Sequence, residues 1–308
     1  MTAWLVTGGA GFIGSHLCEA LLRRGAVVRV LDDLSSGKRE NLPSDIELIE
    51  GDVADEAVVR SAMDGVAGCF HLAAIASVER GVSDWLHTHR ANLTGAITVF
   101  DAGRATRVPV VYASSAAVYG DVATVPIAED APCRPLSAYG ADKLGGELHA
   151  RVASRVHRIP TVGLRFFNVY GPRQDPRSPY SGVISIFCER ARRAAPIDIF
   201  GDGEQTRDFV HVADVVAALL AGDAAGADPC AGVQLMHRSR DLGARTRACH
   251  RSPGRRAAGR TPCAATRRRD PSLDRHPRPG ARSALGLAGP VPLRDGLAKV
   301  LAWLGTEN

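Results

Sequence analysis

The stretch AWLVTGGAGFIGSHLCEALLRRGAVVRVLDD, residues 3–33, constrains the fold more than any other part of the chain. AWLV is a short apolar run, and AVVRVLDD is a second one. Between them Leu17, Leu21 and Leu22 recur at helical spacing. Glycines at 8, 11 and 14 separate the first run from the helix, and Gly25 follows the last turn, where a helix C-terminus favours it. The order is strand, glycine turn, helix, strand. Later apolar runs IELIEGD, GCFHLAA, VPVVYASS and TVGLRFFN continue the alternation with helical segments. This predicts an α/β fold built on a doubly wound parallel sheet.

The glycine turn carries chemistry. Gly8 lets the chain turn tightly, Gly11 lets the backbone approach a pyrophosphate, and Gly14 lets the helix pack close to its strand. The helix N-terminus offers free N–H groups and a positive dipole end to phosphates. Asp32 and Asp33 close the second strand, where a carboxylate accepts from ribose hydroxyls and repels a 2′-phosphate. The pattern therefore favours NAD, although Lys38 and Arg39 lie close enough to keep NADP open. Asp52 ends the third strand, where an adenine would sit. His71, in CFHLAA, reads as a histidine satisfied at a strand end, not as a catalyst.

PLSAYGADKLGGELHA places Tyr139 and Lys143 four apart, on one face of a helix. A free tyrosine has a pKa of about 10, too high for a useful base at neutral pH. An adjacent ammonium stabilises the phenolate and is expected to pull that pKa toward the working range. Upstream, VVYASSAAVYG ends a strand in small residues followed by Ser114 and Ser115. A serine hydroxyl there can bond a substrate oxygen and help proton transfer with the tyrosine.

With these residues in hand, the motifs TGGAGFIGSH, LDDLSSGK, EGDVAD, HLAA, ASSAAVYG, YGADK, LRFFNVYGPRQ and TRDFVHVADV resemble the extended short-chain dehydrogenase/reductase family, in its nucleotide-sugar epimerase/dehydratase branch. The resemblance covers residues 1 to about 225, in order. It implies an NAD site lined by Gly8, Gly11, Phe12, Ile13, Gly14, Asp32, Asp33, Asp52, Val53, Leu72, Ala73 and Ala74. It implies Ser115, Tyr139 and Lys143 as the catalytic set, Asn168 touching a sugar nucleotide, and Arg207 clamping its diphosphate. Dehydratases of this branch carry an Asp-Glu pair soon after the strand-end serine, and decarboxylases a Glu. This chain has Ala116 and Ala117. The implied reaction is therefore 4-epimerisation of a UDP-sugar, with UDP-glucose and UDP-galactose first and UDP-N-acetylglucosamine or UDP-glucuronate as alternatives. A fold-retaining but inactive NAD-binding relative, and a reductase that releases its cofactor, are the readings from other classes. Homodimers in this family pack two helices from each subunit, here SDWLHTHRANLTGAITVFDAGRA and the helix of Tyr139.

The remainder of the chain is abnormal. Residues 227–282 hold fourteen Arg and four Asp, a charge of +10, which turns a chain otherwise at −5 into one at +5. They contain no Ile, Phe, Tyr or Trp and are not expected to build a strand or an apolar helix face. No aromatic interleaves for base stacking, so no nucleic-acid partner is expected. Cys230, His237, Cys249, His250 and Cys263 lack C-x-x-C spacing, so no metal is expected. GVQLMHRSRDLGARTR (232–247) can be written in codons that spell VFNLCTGRATSVLELA one base later, and DPSLDRHPRPGA (270–281) likewise gives IRHSIGTPARAR. Both recoded strings are family-like, and residues from about 281 resemble the family's C-terminal end. A compensated frameshift is inferred. The expected organisation is an NAD-binding domain over 1–165, with strands returning to it from 166–225, and a smaller α+β substrate lobe over 166–308 that is damaged at 227–282. Seven scattered cysteines, no basic leader before the first strand and no long apolar run point to a cytoplasmic protein without a membrane span.

Overall fold

The computed structural model describes residues 3–122, 125–178, 181–199, 203, 207–224, 232–235 and 289–306. Strands β1 (Ala3–Thr7), β2 (Val27–Asp32), β3 (Glu47–Glu50), β4 (Val66–His71), β5 (Val110–Ser115), β6 (Thr161–Phe166) and β9 (Gly232–Leu235) form one sheet. Its order is β3-β2-β1-β4-β5-β6-β9, with every neighbouring pair parallel. The order reverses at β1, between β2 and β4, and all carboxyl ends lie on one edge, where open α/β sheets hold ligands.

Side chains alternate across this sheet with the two-residue period of a strand. Val6, Val30, Phe70, Val111 and Leu164 face one core, with Leu17 and Leu21 of α1 (Phe12–Arg23) and Val215 and Leu219 of α8 (Val212–Ala224). Leu5, Leu31, Cys69, Val110 and Tyr112 face the other. That second core is completed by α2 (Glu56–Ala62), α5 (Gly95–Ala102) and α6 (Ala138–His157). Each fully buried Leu or Val contributes about 2 kcal/mol. Helices α3 (Val78–Ser83) and α4 (Trp85–His89) lie against α6.

Strands β7 (Asn168–Tyr170) and β8 (Phe209–His211) pair only with each other, in a separate two-stranded parallel sheet. Among the described residues of 167–225 it is helix α8, and no strand, that packs on the large sheet. Helices α7 (Val183–Arg192) and α9 (Leu293–Thr306) pack together beside β8, and Tyr170, Ile184, Cys188, Val300 and Leu304 form a third buried cluster.

One expectation is corrected here. Gly232–Leu235, inside the arginine-rich region, forms a strand in register with Gly163–Phe166. Strand pairing draws on backbone N–H and C=O groups, and the open edge of β6 supplies partners whatever the average composition of the surrounding segment. The other proposals made for 236–282, including the frameshift and the Cys/His group, lie outside the described residues. Among the described residues no helix is long and apolar enough to cross a membrane, and Cys18, Cys69, Cys133 and Cys188 are free thiols.

Candidate active site

The turn between β1 and α1 shows why it needs glycine. Gly8 adopts φ +70°, and a Cβ there would lie 2.7 Å from the Ala73 nitrogen and 2.9 Å from the Leu72 carbonyl carbon. A Cβ on Gly14 would lie 2.1 Å from the Gly8 oxygen. Gly11 differs: the one atom a Cβ there would crowd is the Gly8 oxygen, at 3.3 Å, a tight but far less severe approach. Gly11 caps α1 without a side-chain hydrogen bond, and the first turn, which includes Phe12 and Ile13, carries no acid. The N–H groups and positive dipole end are left for a ligand anion, which fits the diphosphate of NAD.

Asp32 is buried at the end of β2 and accepts hydrogen bonds from the Ala10 and Leu34 nitrogens, each 2.9 Å. Burial raises its pKa against those two bonds. Asp33 is exposed and accepts from the nitrogen and hydroxyl of Ser35. The neighbouring cations are engaged elsewhere. Lys38 Nζ pairs with Asp175 at 3.2 Å, and the Arg39 guanidinium donates to the Pro43 and Ser44 carbonyls. With both of these cations committed and two carboxylates in place, the strand end suits a free ribose 2′-hydroxyl, as NAD has, over a 2′-phosphate. Asp52 follows β3, accepts from the Ala54 nitrogen and pairs with Arg90. Val53 is buried against Gly95. Leu72, Ala73 and Ala74 continue β4 past the glycine turn, with the nitrogens of the first two donating to Thr7 Oγ1. That hydroxyl also meets His71 Nδ1 at 2.8 Å. Burial, then the Lys143 ammonium, lower the His71 pKa to about 3. His71 is thus a neutral, satisfied strand-end residue.

Helix α6 starts at Ala138 because the Ser137 hydroxyl accepts from the Gly140 nitrogen at 3.1 Å. Tyr139 and Lys143 both face the end of β5. The Tyr139 hydroxyl is hydrogen-bonded to Ser115, and Lys143 Nζ donates to the Ala113 carbonyl at 3.0 Å. The ammonium sits 5.8 Å from the Tyr139 ring centroid. The expected acidification of Tyr139 is not found. Burial raises its pKa, and the Ser115 hydrogen bond only partly opposes this. The ammonium spends its shortest contact on a backbone carbonyl, and it is itself buried, with a pKa lowered to about 8 chiefly by desolvation and partly restored by Asp142. Ser115 also caps the short turn Ala116–Tyr119, so Ala116 and Ala117 occupy the first positions after it.

A group that the sequence did not single out lies directly beneath. Ser114 Oγ donates to Glu147 Oε1 at 2.5 Å. Arg165 donates from Nε to the same oxygen at 2.8 Å and from Nη2 to Oε2 at 2.7 Å. Its Nη1 donates to Tyr119 Oη at 2.6 Å and to the Glu129 carbonyl at 3.2 Å. The signals available in the sequence were Glu147 four residues past Lys143 and a lone arginine in the apolar run TVGLRFF.

Asn168 opens β7 of the smaller sheet, and Arg207 lies two residues before its partner strand β8. Asn168 is exposed at the start of β7, and both its backbone nitrogen and Nδ2 donate to the Asp208 carbonyl. Arg207, also exposed, immediately precedes Asp208.

Comparison with known proteins shows the family and the fold. The model of the NAD dependent epimerase/dehydratase family matches residues 4–227. A UDP-glucose 4-epimerase of Mycolicibacterium smegmatis is 41% identical over 231 residues, covering 72% of this chain and 74% of that protein. Two solved structures superpose over nearly the whole chain. The Thermus thermophilus UDP-glucose 4-epimerase in complex with NAD has a TM-score of 0.79 at 32% identity, covering 99% of this chain and 100% of that one. The Thermotoga maritima UDP-glucose 4-epimerase with UDP-glucose has a TM-score of 0.82 at 30% identity, covering 98% of each. The chain belongs to the NAD dependent epimerase/dehydratase family.

Proposed function

We propose that the chain is a UDP-sugar 4-epimerase, with UDP-glucose and UDP-galactose as the substrate pair. The observation that carries this reading is the Tyr139 hydroxyl bonded to Ser115 beside the Lys143 ammonium, at the carboxyl end of a sheet whose first turn is shaped for a dinucleotide. NAD, held by the residues of the glycine turn and the β2 end, would supply the hydride acceptor and donor for sugar C4, which inverts that centre when the hydride returns to the opposite face. Tyr139, in its phenolate form with the Lys143 ammonium beside it, accepts the C4 hydroxyl proton and gives it back, and Ser115 holds the C4 oxygen through the transfer. Ala116 and Ala117 place no acid against the sugar, so nothing expels water and the chemistry closes on itself without net oxidation. Gly8, Gly11, Phe12, Ile13, Gly14, Asp32, Asp33, Asp52, Val53 and Leu72–Ala74 are the residues assigned to NAD, and Asn168 and Arg207 those assigned to the sugar nucleotide. The division into a cofactor domain, 1–165, and a smaller lobe from 166 onward is part of the same proposal.

The protein is also proposed to be a homodimer. Val82, Trp85 and Leu86 on α3 and α4 and Leu148, Val152 and Val156 on α6 are exposed apolar side chains on helices that touch each other, which supports this reading.

The direct test is interconversion of C4 epimers in UDP-glucose, UDP-N-acetylglucosamine and UDP-glucuronate, each without added cofactor. Epimer formation with NAD retained through purification supports the reading. Stoichiometric consumption of added cofactor, as a reductase requires, would contradict it.

A further inference from the structure

Three consecutive residues of β5 are each fastened to one of three successive turns of α6. Ser115 bonds Tyr139, the Ala113 carbonyl accepts from Lys143, and Ser114 donates to Glu147. Residues 139, 143 and 147 are spaced four apart and share one face of the helix. The third contact is anchored more heavily than the other two. Glu147 is held side-on by Nε and Nη2 of Arg165, whose side chain is only 10% exposed. Nη1 of Arg165 reaches Tyr119, at the far end of the turn that starts at Ser115. The arginine also lies 4.9 Å from the Tyr119 ring centroid. One carboxylate–guanidinium pair thus grips the residue before Ser115 and the residue that ends its turn.

We propose that Glu147 is a positioning residue for the Ser115–Tyr139–Lys143 set. It fixes the register of α6 on β5 through Ser114, and through Arg165 and Tyr119 it fixes the turn that carries Ser115. It touches neither substrate nor cofactor. Its role is to keep two hydroxyls, on separate elements, at proton-transfer distance throughout the reaction, where a displacement of about 1 Å costs up to a hundredfold in rate. The inference rests on the epimerase reading for its kinetic consequence, but not for its structural one.

The test compares the unaltered chain with Glu147→Gln and Ser114→Ala. The first substitution keeps the volume but places an amide donor against Arg165 or Ser114. For Glu147→Gln, kcat should fall roughly tenfold to a hundredfold, with KM for UDP-glucose and affinity for NAD within about twofold of the unaltered chain. Amide hydrogen exchange over 113–119 should accelerate. Ser114→Ala removes one donor and should move both measurements in the same direction by less, and it carries the test if Glu147→Gln does not fold. Unchanged kcat together with unchanged exchange over 113–119 in the folded variants overturns the proposal, as does a loss confined to melting temperature. If neither the unaltered chain nor a version carrying the other reading frame through 227–282 turns over any of the UDP-sugars, the functional reading fails on its own, and exchange over 113–119 still decides the positioning role.

Discussion

Gly11 and Gly14, three residues apart, tolerate a methyl group very differently. The backbone atoms facing Gly14 cannot retreat, so Gly14→Ala should destabilise the whole domain by several kcal/mol, seen as a large fall in melting temperature. The 3.3 Å clearance at Gly11 is tight but workable, so Gly11→Ala should melt within a few degrees of the unaltered chain while NAD affinity, followed by titration, drops at least about tenfold. Lys143 gives a prediction of a different kind. Its folded pKa of about 8 lies below its usual 10.5, so between those values the unfolded chain holds the extra proton. Stability therefore rises with pH across that window, and below pH 8 the burial of the charged amine costs roughly 3 kcal/mol. Lys143→Met should be the more stable protein in cofactor-free denaturant titrations at pH 7, with its advantage shrinking toward pH 10. An advantage independent of pH would contradict the assigned pKa.

Among the elements, α6 ties most of the site together. The Ser137 cap sets its first turn and hence the direction of Tyr139 two residues on; Ser137→Ala should cost about 1 kcal/mol in chemical denaturation. How much of this helix could be read beforehand depended on the kind of contact. Tyr139 and Lys143 were legible because a base and its cation at helical spacing have a local meaning. Glu147 was not, since its partners Ser114 and Arg165 stand on two other strands and only the sheet order brings β5 beside β6. The acidity of Tyr139 was misjudged for the same reason. The spacing located the ammonium, while the burial that outweighs it comes from the whole site. The strand Gly232–Leu235 was hidden by an average taken over a long and unusual segment.

For the molecule as a whole, the parallel sheet was legible almost completely, because every strand buried on both faces reads as an apolar run bounded by turns. The family match ends at residue 227, where the arginine-rich segment begins. The chain as written is expected to bind NAD but to epimerise poorly or not at all, and a version carrying the other reading frame through that segment should recover turnover; equal rates for the two would refute this. Leu148→Glu with Val152→Glu should convert a dimer to a monomer in light scattering without lowering NAD affinity, since both side chains point away from the glycine turn's core. Helix α9 lodges Val300 and Leu304 in the cluster with Tyr170, Ile184 and Cys188, and Gly296 rests against the Tyr170 ring, where a Cβ would come within 2.2 Å of the hydroxyl oxygen. A backbone nick placed between 236 and 288 therefore need not release the terminal fragment: the two pieces should co-elute, making this the natural place to split the polypeptide and recombine its halves.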